Sequence, residues 1–178
     1  MVCGCPGAFG GCAARPAGPP PRSAVEIVMA YDVGRPDAPL ALPTASHESI
    51  VKFELPAGEH KLLRVRAQAA AAGRLEYTLY ADTPLDAPGE ILHKVGRDVG
   101  PTDVSDGKDG RWIVDDLGEL PARTGVLWLG VRRVGGDATL WSCKGDSGRA
   151  FLRNTDPHNT MGLLPVQRTP VLHLEVAP

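Results

Sequence analysis

From Val25 to the C terminus, apolar and polar residues alternate in short runs, and no stretch carries the i, i+3, i+4 spacing of a long amphipathic helix. Val25-Glu26-Ile27 opens the pattern. Val51-Lys52-Phe53-Glu54-Leu55, Leu63-Arg64-Val65-Arg66-Ala67 and Leu75-Glu76-Tyr77-Thr78-Leu79 repeat it, and Leu172-His173-Leu174-Glu175-Val176 closes it. Successive side chains on a strand point to opposite faces, so each run offers one face to a core and one to water. A chain patterned this way folds into sheets.

Strand candidates fall at residues 25–31, 49–55, 60–68, 74–82, 91–95, 111–117, 126–134, 138–143, 149–153 and 171–176. Turn chemistry separates them. Pro56-Ala57-Gly58 has the spacing of a short hairpin, Ala71-Ala72-Gly73 joins the next pair, and Val134-Gly135-Gly136-Asp137 reads as the clearest hairpin turn. Residues 67–72 are the one helix-prone piece, too short to stand alone. The run Val126-Leu127-Trp128-Leu129-Gly130-Val131 is apolar on both faces, which predicts a central strand with Trp128 in the core. About nine or ten short antiparallel strands without crossover helices predict an all-β, jelly-roll-like β-sandwich with an extended N-terminal segment.

Length and composition narrow the function classes. At 178 residues the chain can bury a core without staples. Its 21 glycines and 17 prolines supply the turns that many short strands require. The net charge of −2 leaves no basic excess to neutralise a phosphate backbone, so no nucleic-acid partner is expected. No apolar run is long enough for a membrane-spanning helix.

Residues 1–24 differ from the sandwich domain of residues 25–178. They are rich in Gly, Ala, Pro and Cys, and the stretch from Arg15 to Arg22 reads as an extended, polyproline-prone arm. Cys3, Cys5 and Cys12 crowd this segment, whereas Cys143 lies far away, an arrangement that matches neither a disulfide framework nor paired zinc ligands. The segment reads as a plain leader. Alternatively, Phe9-Gly10-Gly11-Cys12 resembles a bacterial lipoprotein cleavage site, in which case Cys12 would carry lipid and the domain would stand at the cell envelope.

Gly125-Val126-Leu127-Trp128-Leu129-Gly130-Val131, the Gly-Gly turn and Thr139-Leu140-Trp141 together resemble a late hairpin of secreted bacterial jelly-roll accessory domains, the galactose-binding-like and carbohydrate-binding-module class. The resemblance implies a binding or targeting module, extracellular or at the envelope. It names no ligand residues.

The residues themselves suggest where chemistry would lie. The long segment after the ninth candidate strand brings Arg153, Asn154, Asp156, His158 and Asn159 together, side chains that hydrogen-bond sugar hydroxyls or a peptide; packing by Met161, Leu163 and Leu164 is the alternative account. Trp141 alternates with Leu140 and is the best candidate for an exposed stacking surface. Asp103, Asp106 and Asp109 place three carboxylates among glycines, the oxygen ligands of a structural Ca2+ if they converge and a solvated loop if they do not. No other cofactor is expected. Asp115 and Asp116 are adjacent on a strand, point to opposite faces, and so cannot work as an acid–base pair.

Lys144-Gly145-Asp146-Ser147-Gly148 contains a string that resembles the nucleophile segment of chymotrypsin-like serine proteases, and Thr44-Ala45-Ser46-His47 resembles their histidine segment. Arg149-Ala150 follows where that family has Gly-Pro, and Glu48 stands where it has Cys. The reading that follows is a non-enzymatic module recognising carbohydrate or protein through its end loops. A self-assembling structural subunit, a homo-oligomer with the Pro-rich arm laid across a neighbour, is the alternative, and a hydrolase the second alternative.

Overall fold

The computed structural model describes residues 26–31, 35–42, 44–108, 110–145, 148–156, 158 and 162–178. The 1–24 leader, with Cys12 and the other two N-terminal cysteines, lies outside them, as do Asp109 and Asn159.

The described residues form twelve strands: β1 (Ile27–Met29), β2 (Ala38–Pro39), β3 (His47–Glu54), β4 (Lys61–Ala67), β5 (Ala69–Asp82), β6 (Pro88–Val99), β7 (Ile113–Asp116), β8 (Val126–Lys144), β9 (Ala150–Asn154), β10 (Leu164–Pro165), β11 (Arg168–Pro170) and β12 (Leu172–Ala177). One 3-10 turn, Pro101–Asp103, interrupts them, and among the described residues no helix is long and apolar enough to cross a membrane. The strands pair antiparallel into a small sheet, β1-β12-β4-β7, and a large one, β10-β9-β3-β8-β5-β6, with β2 and β11 added along the second half of β8. The all-β antiparallel sandwich expected from the alternation is therefore the fold. β2, β10 and β11 have two or three residues each, too short to show a period in sequence.

The inward faces of the two sheets supply one core. Val51 and Phe53 of β3, Leu75, Tyr77 and Leu79 of β5, and Leu127, Leu129 and Val131 of β8 meet Leu62 and Val65 of β4 and Leu172, Leu174 and Val176 of β12. β8 is central, as its two-sided apolar run predicts. Its outward residue Trp128 is buried too, but in a separate cluster on the far side of the large sheet with Ile50 and Tyr80, flanked by Val126, Phe151 and Leu163. The Trp128 indole N–H donates to Asp82 Oδ1 at 2.7 Å.

Three turn readings are corrected by the register. Pro56-Ala57-Gly58 is not a hairpin, because β3 belongs to the large sheet and β4 to the small one; the turn carries the chain between layers. Ala71-Ala72-Gly73 is strand, and so are the helix-prone residues 67–72 apart from Gln68, where the chain changes sheets; β5 already runs from Ala69. Gly135-Gly136 is no turn either, for β8 continues through it for 19 residues beside β5. The glycines serve a bulge instead. Gly73 (φ 141°) faces Gly136 (φ 61°) where the β5–β8 register shifts, and a Cβ on Gly73 would fall 2.7 Å from both Ala138 N and Gly135 O. Glycine permits both the dihedral and the close approach.

At the side of the sandwich where β6 and β7 end the two sheets, Arg97 bridges to Asp115 at 3.4 Å and to Asp103 at 3.8 Å. Asp116, one residue on, pairs with Arg64 in the register of the small sheet and is exposed, so the two adjacent aspartates do face opposite ways.

Candidate functional site

The outward face of the large sheet carries a charged row that the register assembles. Glu48 of β3 lies opposite Arg132 of β8 on one side and Arg153 of β9 on the other, and Arg132 lies opposite Glu76 of β5. Arg153, Glu48, Arg132 and Glu76 thus alternate in sign across four neighbouring strands, the favourable cross-strand arrangement for opposite charges. Lys94 of β6, opposite Thr78, reaches Glu76 Oε1 at 3.3 Å.

Glu48 is the centre of this row and its most enclosed member, 1% exposed. The Tyr80 hydroxyl donates to its two oxygens, 3.0 Å from each, and Arg153 Nε donates to Oε2 at 2.9 Å. The Arg153 guanidinium lies 4.5 Å over the Tyr80 ring and also donates to the Tyr80 oxygen. Room for the carboxylate comes from Gly130, the β8 residue in the next row. A Cβ there would lie 2.1 Å from Glu48 Oε1.

Electrostatics follow from burial. Desolvation raises the Glu48 carboxyl above its ordinary value, and the opposing pull of Arg153, Tyr80 and Arg132 does not fully offset it. Desolvation, with the Glu48 charge behind it, pushes the Tyr80 hydroxyl up to about 12, so it remains a donor across the physiological range. Glu76 goes the other way: burial would raise it, but hydrogen bonds from Arg132 (Nε to Oε1, 2.6 Å) and Lys94 outweigh that and lower it. Above these side chains is a cavity of about 250 Å3, to whose lining Thr78, Ile91 and Thr155 also contribute. The buried Ile50, Tyr80 and Trp128 cluster is on the same face, and its Tyr80 also lines the cavity.

Of the ligand residues expected from sequence, Arg153 is in this site. Asn154, Asp156 and His158 follow it in the chain as two successive side-chain turns: Asn154 Oδ1 accepts the Asp156 N–H and Asp156 Oδ1 accepts the His158 N–H, each at 2.9 Å. Thr155 ties that loop to the carbonyl of Ser46 through both its backbone N–H (2.7 Å) and its hydroxyl (3.0 Å). Trp141 is elsewhere, nine residues along β8 from Arg132 and beyond the bulge at Gly136. Its indole N–H donates to Ser105 O at 2.9 Å and Gly107 packs on its ring, so a loop covers part of the expected stacking surface.

The acidic loop is engaged locally. Asp103 Oδ2 accepts the Gly100 N–H at 2.9 Å, Asp106 Oδ1 accepts the Lys108 N–H at 2.7 Å, and Arg111 donates to the carbonyls of Thr102 and Val104. Among the described residues no group of three His, Cys, Asp or Glu side chains is placed to hold a metal ion. His47 Nδ1 meets the Thr44 hydroxyl at 2.7 Å and His47 pairs with Asn154, whereas Gly148 lies beyond the opposite end of β9; Asp146 and Ser147 are outside the described residues.

Glu48, Glu76, Tyr80, Lys94 and Arg132 were not singled out by the sequence. The one local signal was Gly130, a lone glycine inside an apolar strand, which marks a close approach.

No protein-family model matches the chain, and no curated protein does. Among solved structures, the fold is similar to that of the cysteine protease and lectin-like domains of Cwp84, a surface layer associated protein of Clostridium difficile. The TM-score is 0.50 at 9% identity, over 74% of this chain and 32% of that one, so this chain spans about a third of that structure. Likeness at this identity concerns the fold alone.

Proposed function

We propose that this chain is a recognition module that binds carbohydrate on the outward face of the large sheet, at a cell surface or envelope. The observation that carries the reading is the preorganised polar cavity: Glu48 locked by Tyr80 and Arg153, beside Arg132, Glu76 and Lys94, with the exposed side chain of Ile91 as an apolar contact for a ring. Sites of this kind, a few convergent polar groups already held by one another, orient a polar ligand with little reorganisation. Binding fits better than catalysis because both oxygens of Glu48, the carboxyl of the row that burial raises, are already hydrogen-bonded within the protein to Tyr80 and Arg153. The similar Clostridium difficile structure includes a lectin-like domain, which agrees with a binding role.

A glycan array probed with the purified protein, followed by titration of any binding oligosaccharide against Arg132→Gln and Trp141→Ala, tests this. The expected result is binding lost in Arg132→Gln and retained in Trp141→Ala. Binding retained in the first and lost in the second would move the site to the Ser105–Gly107 end. No glycan bound by a folded protein would overturn the reading in favour of a protein ligand.

A further inference from the structure

We infer that the ligand of this face is anionic: a saccharide bearing a carboxylate or sulfate group, held by Arg132, Arg153 and Lys94. The inference rests on the carbohydrate-binding reading and narrows its ligand class. It comes from the hydrogen-bond inventory of the cavity. Among the described residues Arg132 spends only Nε, on Glu76 Oε1 at 2.6 Å; its two terminal nitrogens meet no partner among them and are not sealed from solvent. Arg153 spends Nε and Nη2 on Glu48 and Tyr80, which leaves Nη1 unspent among the described residues. Lys94, 44% exposed, has one carboxylate contact, at 3.3 Å.

Acceptors are scarcer. Both oxygens of Glu48 are taken by Tyr80 and Arg153, and Glu76 Oε1 is shared by Arg132 and Lys94, so Glu76 Oε2 is the one carboxylate oxygen of the row without a partner among the described residues. Three cationic groups therefore face two carboxylates. The terminal nitrogens of a guanidinium present a planar fork that matches a carboxylate or sulfate better than a hydroxyl. The hydroxyls of a neutral sugar can accept from these donors but bring no charge to balance the extra cation, whereas an anionic group placed among them meets charge-assisted donors carried by three strands.

The test is titration calorimetry of the intact chain with four probes: oligogalacturonate, the same oligomer fully methyl-esterified, a sulfated galactan oligomer and a neutral galactan oligomer. The anionic probes are expected to bind, the ester and the neutral oligomer to bind at least tenfold more weakly, and affinity to fall as salt rises. Lys94→Gln, which removes an exposed ammonium without touching the core, and Arg132→Lys, which keeps charge but loses the fork, should each weaken anionic binding severalfold. Lys61→Gln, on the exposed face of β4 in the other sheet, should not. Response to one anionic probe alone identifies which acid group is read and supports the inference. Equal binding of ester and acid would overturn the anionic inference and leave the carbohydrate reading standing. Equal loss in Lys61→Gln and Lys94→Gln would mean diffuse attraction and overturn it as well. Silence from all four probes would count against both readings.

Discussion

The carboxylate of Glu48 occupies the space a side chain on Gly130 would need: a Cβ built there falls 2.1 Å from Oε1 and 2.4 Å from Cδ. Gly130 lies beside Ile50 on β3 and Thr78 on β5, so the gap is enclosed by neighbouring strands and Glu48 leans across it to reach Tyr80 and Arg153. Gly130→Ala is therefore expected to expel the carboxylate, at a cost of about 1–3 kcal/mol for overpacking an ordered site. Glu48→Gln keeps the shape and should cost less. A denaturant titration of both variants checks the order, and ligand binding should fall further in Gly130→Ala.

Glu48 also makes a pH prediction whose sign is fixed by burial. Its carboxyl is raised in the folded state, so the folded protein holds the proton more tightly than the unfolded chain does. The associated stability is present below the unfolded value of about 4.5 and is lost as pH rises through the folded one. Glu48→Gln, which resembles the protonated acid, should compare more favourably with the parent at pH 7 than at pH 4. Urea midpoints at the two pH values measure this; a gap that does not change with pH would mean the carboxylate is solvated.

On the other sheet Glu175 should behave in the opposite sense. It is buried, and burial alone would raise its carboxyl, but hydrogen bonds from Arg64 and Arg66 outweigh that and lower it. Its contribution is then present above the ordinary carboxylate value and lost as pH falls through the folded one. Glu175→Gln should be most destabilising near neutral pH, with the difference from the parent shrinking below about pH 4.5. The same urea series reads it, and the two variants should diverge in opposite directions.

How far these features were legible from sequence depends on whether their causes are local. The outward arginines of Leu63-Arg64-Val65-Arg66 and the central position of Leu127-Trp128-Leu129 follow from a period of two and can be read directly. Arg153 was legible as a polar residue at the edge of a long loop. Glu48 was not, because nothing near it in the chain announces Arg132, Arg153 or Tyr80; only the strand register brings them together. Trp141 alternates correctly with Leu140, yet Ser105 and Gly107 come from a distant loop to cover it. Its exposure was a tertiary property that alternation cannot carry.

The misread Gly-Gly pair makes the last prediction. Glycines suit a hairpin turn and a bulge equally, and the two differ in what stands opposite. Here Gly73 of β5 stands opposite Gly136, with φ at 141°, and the place a Cβ would take is crowded by backbone atoms of residues 135 and 138. Gly73→Ala must place a methyl 2.7 Å from two backbone atoms and strain its dihedral as well, so it is expected to cost about 3 kcal/mol or more. Gly136→Ala is milder. Its φ of 61° lies in the left-handed region, where a non-glycine residue costs roughly 1–2 kcal/mol, and its Cβ would meet the Gly73 α-carbon at 3.1 Å. Thermal melts of the two variants should therefore rank Gly73→Ala well below Gly136→Ala. If residues 135 and 136 turned the chain as a free hairpin, the ranking would reverse, because Gly73 would then face nothing and Gly136 would carry the whole turn.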